Sequence, residues 1–113
     1  MEDKRYEARF TRIVTFMLDC QKVFDSMPTG IKANHIKRIE QHLPGLRAAG
    51  EDERLKFIAD KAIKLGEELV KYAKMFRAEK EPLEIIQAEG DKIVGLMAEL
   101  EVEIQKAGVD SNV

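Results

Sequence analysis

The sequence predicts an all-α protein, an antiparallel bundle of three long helices and one short helix with coiled-coil-like heptad packing. Three observations lead there. Apolar residues recur at alternating steps of three and four over most of the 113 residues, the spacing that lines one face of a helix. Charged residues make up 35% of the chain and aromatics 6%, with no tryptophan, a balance suited to long solvated helices. Helix breakers fall between the periodic stretches, at Pro28-Thr29-Gly30, Pro44-Gly45 and Pro82. A chain of this length fits one domain whose core needs neither disulfide nor metal, drawn here over 1–108 with 109–113 as a flexible tail.

The first helix is set by Tyr6, Phe10, Ile13, Met17, Cys20, Phe24 and Met27, and Pro28 stops it because the residue before a proline is pushed out of the helical region. Val14, Phe16, Leu18 and Val23 lie outside that stripe. The helix is therefore apolar around more of its girth than one neighbour covers, and it must be touched on at least two sides. Val14, Phe16, Leu18, Val23 and Met27 are accordingly the candidate surface for another protein chain.

The second helix is short, from about Ile31 to Leu43, with Ile36, Ile39 and Leu43 at helical spacing and Pro44-Gly45 as its end. The third begins near "GEDERL", where acids suit the positive end of a helix dipole, and continues through Leu55, Ile58, Ala62, Leu65, Leu69, Tyr72 and Phe76. Asp60 with Lys64 and Glu67 with Lys71 are favourable i,i+4 pairs on it. Ala59, Gly66 and Ala73 repeat beside its seam every seven residues and would let a neighbouring backbone come close. The fourth carries Leu83, Ile86, Gly90, Ile93, Met97, Leu100, Ile104 and Ala107, ends at Gly108, and could bend at Gly90 and Gly95.

The heptad phase passes through Pro82 without a break, so two architectures fit: a hairpin turning at "AEKEP", or one kinked rod that needs a partner along its length. An interior proline costs about 3 kcal/mol, and Glu79 would face inward in a rod. Both favour the hairpin.

The single cysteine, Cys20, excludes an internal disulfide and suggests a reducing compartment. The opening "MEDKRYEARF" lacks the apolar core of a secretory signal, and no apolar run approaches the ~18 residues of a membrane span. A cytoplasmic protein with no membrane partner is expected. Both histidines lie in "ANHIKRIEQHLPG", but His35 and His42 are separated by about 10.5 Å of helical rise and cannot share one metal ion. Glu40 sits two residues before His42, so the Glu-x-x-His pairing of di-iron bundles is missing as well. No metal and no cofactor are expected, and the histidines are read as bordering the apolar stripe of their helix.

Cys20 lies on the inward stripe with no adjacent base, and no Gly-x-Ser-x-Gly turn or phosphate-cradling glycine loop occurs, so the chain is not read as an enzyme. Lys32, His35, Lys37, Arg38 and Arg47 make a modest basic surface. Residues 28–50 carry a charge of +3 and residues 81–113 a charge of −6, which the two segments are expected to compensate within one bundle. With the whole chain at −2 and no aromatic among the basic residues, nucleic-acid binding is disfavoured. The expected function is a non-catalytic protein–protein interaction or regulatory adaptor bundle that binds another protein and self-associates as a homodimer. Two alternatives are a small helical chaperone or escort for a secreted or assembling partner, and a histidine phosphotransfer or DNA-linked regulator centred on residues 31–43.

Overall fold

A computed structural model describes residues 4–26, 33–78 and 80–111. Four helices occupy them: α1 (Lys4–Ser26), α2 (Ala33–Ala49), α3 (Lys56–Ala78) and α4 (Leu83–Ser111), with no strand among the described residues. The pairing of side chains gives the topology. Phe16 meets His42, and Asp19 meets Arg38, so α1 and α2 run antiparallel. Ala59 approaches Gly50 and Leu43 approaches Gly66 across α2 and α3, while Lys61 meets Glu99 and Glu68 meets Lys92 across α3 and α4. The result is an up-down-up-down bundle of 52 × 23 × 21 Å. α3 touches every other helix, whereas α2 and α4 barely meet.

The wide apolar girth of α1 serves this chain itself. Phe16 is 0% exposed and Val23 5% exposed, both within the core formed with α2, α3 and α4. The interaction surface expected at Val14, Phe16, Leu18, Val23 and Met27 is therefore corrected: Phe16 and Val23 are core, Val14 is half-buried, and Leu18 is exposed. Met27 lies outside the described residues, as do the Pro28-Thr29-Gly30 turn and Lys32.

The second correction concerns α2, which runs through Pro44 and Gly45 to Ala49. Pro44 and Glu40, whose carbonyl a residue at position 44 would otherwise engage, are both exposed, so water can serve the freed acceptor. Leu46 and Ala49 beyond the proline are buried at 0% and 1% exposure, and their burial outweighs the local preference to stop. Gly45 is used as well: the Arg12 side chain of α1 lies so close that a Cβ there would come within 2.9 Å of its Nη1.

Successive turns join α2 to α3 over residues 50–55, so α3 starts later than its acidic prelude suggests. The Asp52 carboxylate accepts the Arg54 backbone N–H at 3.0 Å and the Arg54 guanidinium at 2.6 Å, a local bond that competes with helix and holds the Asp52 carboxyl below its usual range. Leu55, 0% exposed, plugs the core from within this loop. At the next connection the hairpin is the architecture found, because α3 and α4 are separate helices packed on each other. The Pro82 carbonyl accepts the Ile85 and Ile86 N–H groups at 3.0 and 3.2 Å and so opens α4. Glu79 lies outside the described residues, and α4 runs past Gly108 to Ser111 as one helix.

The small residues of α3 are buried as their spacing suggests: Ala59, Gly66 and Ala73 all face the core. Gly66 is the tightest position, since a Cβ there would stand 2.6 Å from Phe16 Cζ and 3.1 Å from Leu43 Cδ2. Gly90 on α4 repeats the device, with the Tyr72 ring 3.3 Å from the place of a Cβ, whereas Gly95 faces open space. Gly66→Ala should accordingly destabilise the bundle by about 1–3 kcal/mol, and Gly95→Ala should stabilise it by about 0.5–1 kcal/mol. Urea titrations of the two variants check this, and equal effects would show that Phe16 does not depend on the bare backbone at position 66.

Candidate functional site

The helix least tightly joined to its neighbour around the ring is α4, along its border with α1. An open groove of 380 Å³ runs there, lined by Gln21, Phe24 and Asp25 of α1 and by Val94, Met97, Ala98 and Glu101 of α4. Val94 on the α4 lip is 52% exposed, and Leu18, one helical turn before Gln21 on α1, is 47% exposed. Phe24 and Met97 form a floor that is half-buried against the core. Leu18 is thus the member of the expected interaction set that is exposed close to this groove, while Val14 is half-buried against the core. The α4 side of the groove had a faint sequence signal, Val94 and Ala98 lying off the core stripe of an amphipathic helix.

Among the described residues neither Asp25 nor Glu101 is in an ion pair. Other residues of α4 are in ion pairs: Lys92 bonds Glu68 at 3.1 Å, Glu99 meets Lys61 at 3.4 Å, and Lys106 lies 3.7 Å from Glu103. The pairs anticipated at Asp60–Lys64 and Glu67–Lys71 do not close, the cross-helix partners of α3 being at Lys61 and Glu68 instead.

The basic surface is split by the fold. Arg38 turns to Asp19 of α1 at 3.4 Å, whereas Lys37 lines a separate groove of 460 Å³ with Ile36, Glu40, Lys74, Arg77 and Ala78. Lys74 and Arg77 come from α3 and were not expected there, because nothing in their own helix marks them as neighbours of α2. Arg47 is exposed near the far end of α2. Because α2 and α4 barely meet, the basic and acidic segments do not compensate each other, contrary to the expectation from charge balance.

His42 has structural partners. His42 Nε2 lies 2.9 Å from Asp19 Oδ2, and its ring meets Phe16 edge-on at 5.5 Å. His35 is half-buried, with Nδ1 buried and without a hydrogen-bond partner. Burial pushes the Cys20 thiol far above its ordinary range, with the Asp19 charge adding to the effect. Among the described residues no three His, Cys, Asp or Glu side chains converge to hold a metal ion, and no helix is long and apolar enough to cross a membrane.

A feature that sequence reading missed is a carboxyl pair between α3 and α4. Glu68 Oε2 and Glu89 Oε1 are buried with no donor available when both groups are ionised. A proton on Glu89 resolves this, since Glu89 then donates to Glu68; that bond, burial and the neighbouring Glu68 charge raise the Glu89 carboxyl above its usual range. Accepting the bond lowers Glu68, with Lys92 and Lys71 assisting against burial. The stability owed to the raised Glu89 is present below the ordinary carboxyl range and is lost as pH rises through its folded-state value.

No protein family, curated protein or solved structure matches the chain.

Glu89→Gln supplies a permanent amide donor to Glu68 without a titrating proton. Its thermal midpoint should exceed that of the parent by a few degrees at neutral pH, and the gap should shrink as pH falls into the carboxyl range. Melting curves over that pH span test the pair, and a gap independent of pH would mean that no proton is shared.

Proposed function

We propose that the protein is a non-catalytic interaction module, a regulatory or adaptor bundle that takes up a helix of another protein in the groove between α1 and α4. The observation that carries this reading is the groove itself, in which Val94, about half exposed, borders the half-buried floor of Phe24 and Met97, with the exposed Leu18 one helical turn before the lining residue Gln21. Scattered apolar residues on a protein surface are ordinary, but apolar residues converging on one concave strip between two helices match how an amphipathic helix docks. Phe57 on α3, also exposed, has a different setting, with the Lys61 ammonium 4.9 Å above its ring. Phe24 and Met97 add contact area that adapts to different occupants. Self-association, expected from the apolar breadth of α1, would compete for this same strip, because Phe16 and Val23 are already used inside the chain.

A photo-crosslinking side chain placed at Leu18 or Val94 in the source cells should give discrete adducts with another protein chain. The same group at Lys64, which is exposed on α3, should not. Adducts from all three positions alike, or from Lys64 alone, would remove the reading.

A further inference from the structure

The groove between α1 and α4 carries a carboxylate on each lip, and neither is in an ion pair among the described residues. Asp25 stands on the α1 side and Glu101 on the α4 side, with Phe24, Val94, Met97 and Ala98 between them. The two lysines of α4 are committed to Glu68 and Glu103. Glu84 and Asp91 add unpaired negative charge on the exposed side of the same helix. Lys22, exposed on α1 beside Gln21, is the one nearby base with no ion pair among the described residues. We infer that the occupant of this groove is a basic amphipathic helix, one whose apolar residues at i and i+3 or i+4 fill the floor while flanking lysines or arginines reach Asp25 and Glu101. This rests on the reading of the groove as a docking surface.

A second copy of the chain fits this surface poorly. A two-fold arrangement groove to groove would set Asp25 and Glu101 against their own equivalents and would join two concave surfaces. The basic helix α2 cannot serve either, because its apolar residues Ile36, Ile39 and Leu46 are buried in its own core. Of its exposed basic residues, Arg38 is paired with Asp19 and Lys37 lines a recess with Lys74 and Arg77, so two recesses would again face each other. A separate polypeptide segment that is convex, apolar on one side and basic at its edges meets every requirement. The lining from Val94 to Glu101 spans about 10 Å of helix, enough for roughly two turns of an occupant.

The test uses the full chain and three labelled helical peptides of about 16 residues, identical in their leucines at i, i+3 and i+4 and carrying lysine, glutamine or glutamate on the flanks. Fluorescence anisotropy at about 50 and about 300 mM salt measures binding. The lysine peptide should bind most tightly and the glutamate peptide least, and salt should weaken the first. Asp25→Asn with Glu101→Gln should lower affinity for the lysine peptide roughly threefold to tenfold and leave the glutamine peptide unchanged. Leu18→Gln with Val94→Gln, both at exposed positions, should weaken all three while circular dichroism stays that of the parent. Equal binding of the three peptides, still lost in the Leu18/Val94 variant, would overturn the charge inference and keep the docking groove. Lysine-peptide binding that survives the Leu18/Val94 variant, or no binding of any peptide, would overturn both. A parent dimer in sedimentation that dissociates in the Leu18/Val94 variant would make a second copy the occupant and overturn the inference of a basic partner.

Discussion

The contact on which the bundle depends is the edge of the Phe16 ring against the bare backbone of Gly66. With no Cβ at position 66, Phe16 Cζ reaches a place that any side chain would fill, and α1 settles on α3 across what would otherwise be the diagonal of a four-helix square. His42 and Leu43 of α2 close around the same ring. One aromatic side chain thus sets the distances among three helices, and its complete burial means that the surrounding packing has little freedom to give way. When two opposite helices draw together, the other two are pushed apart, and α2 and α4 barely meet.

The position of α4 follows from its attachments to α3. Tyr72 lies over Gly90 as Phe16 lies over Gly66, and the Lys61–Glu99 and Glu68–Lys92 pairs run along the same border. Beside them the Glu89 carboxyl is raised above its usual range by its hydrogen bond to Glu68 and by burial, a contribution to stability that is lost as pH rises. Partly exposed ion pairs contribute at most about 1 kcal/mol each, so the packing of the ring on the glycine and the burial of Ile93 and Leu100 outweigh them. Anchored in this way to α3, α4 stands off from α1 enough to leave a strip of apolar surface open between them. The groove is in this sense a consequence of where the glycines are.

How much of this could be read in advance differs by element. The core faces of α1 and α3 were legible because repetition over many turns averages out single exceptions, and residues such as Ile13, Leu65 and Leu69 are buried where periodicity puts them. The extent of α2 was not legible, since a proline followed by a glycine is a strong local stop and only the tertiary burial of Leu46 overrides it. Gly66 was legible as a place of close approach, but the identity of its occupant was not: Phe16 lies 50 residues away and off the main stripe of its own helix. The carboxyl pair was hidden for a related reason. Glu89 reads as one more solvated acid on a charged helix, and only the antiparallel register of α3 and α4 brings it to Glu68. For the groove, Leu18 stood out in the sequence while Glu101 and Asp25 looked like ordinary solubilising charges, because isolation of a charge is a property of its surroundings.

That isolation gives the charge asymmetry of the chain its physical meaning. Had α2 and α4 been neighbours, the excess cations of one could have met the excess anions of the other, and the molecule would present a nearly neutral surface. Instead Asp19 of α1 takes Arg38 from α2, Lys61 of α3 takes Glu99 from α4, and the remainders stay on separate flanks. The unmatched acids border the apolar strip, while Lys37, Lys74 and Arg77 gather at a different recess. On the proposed reading, such a surface would act at two ranges: the charge would orient an approaching partner over a Debye length of about 8–10 Å, and the apolar floor would contribute only on contact. Electrostatics would then decide which helix arrives and in which direction it lies, and burial would decide how long it stays.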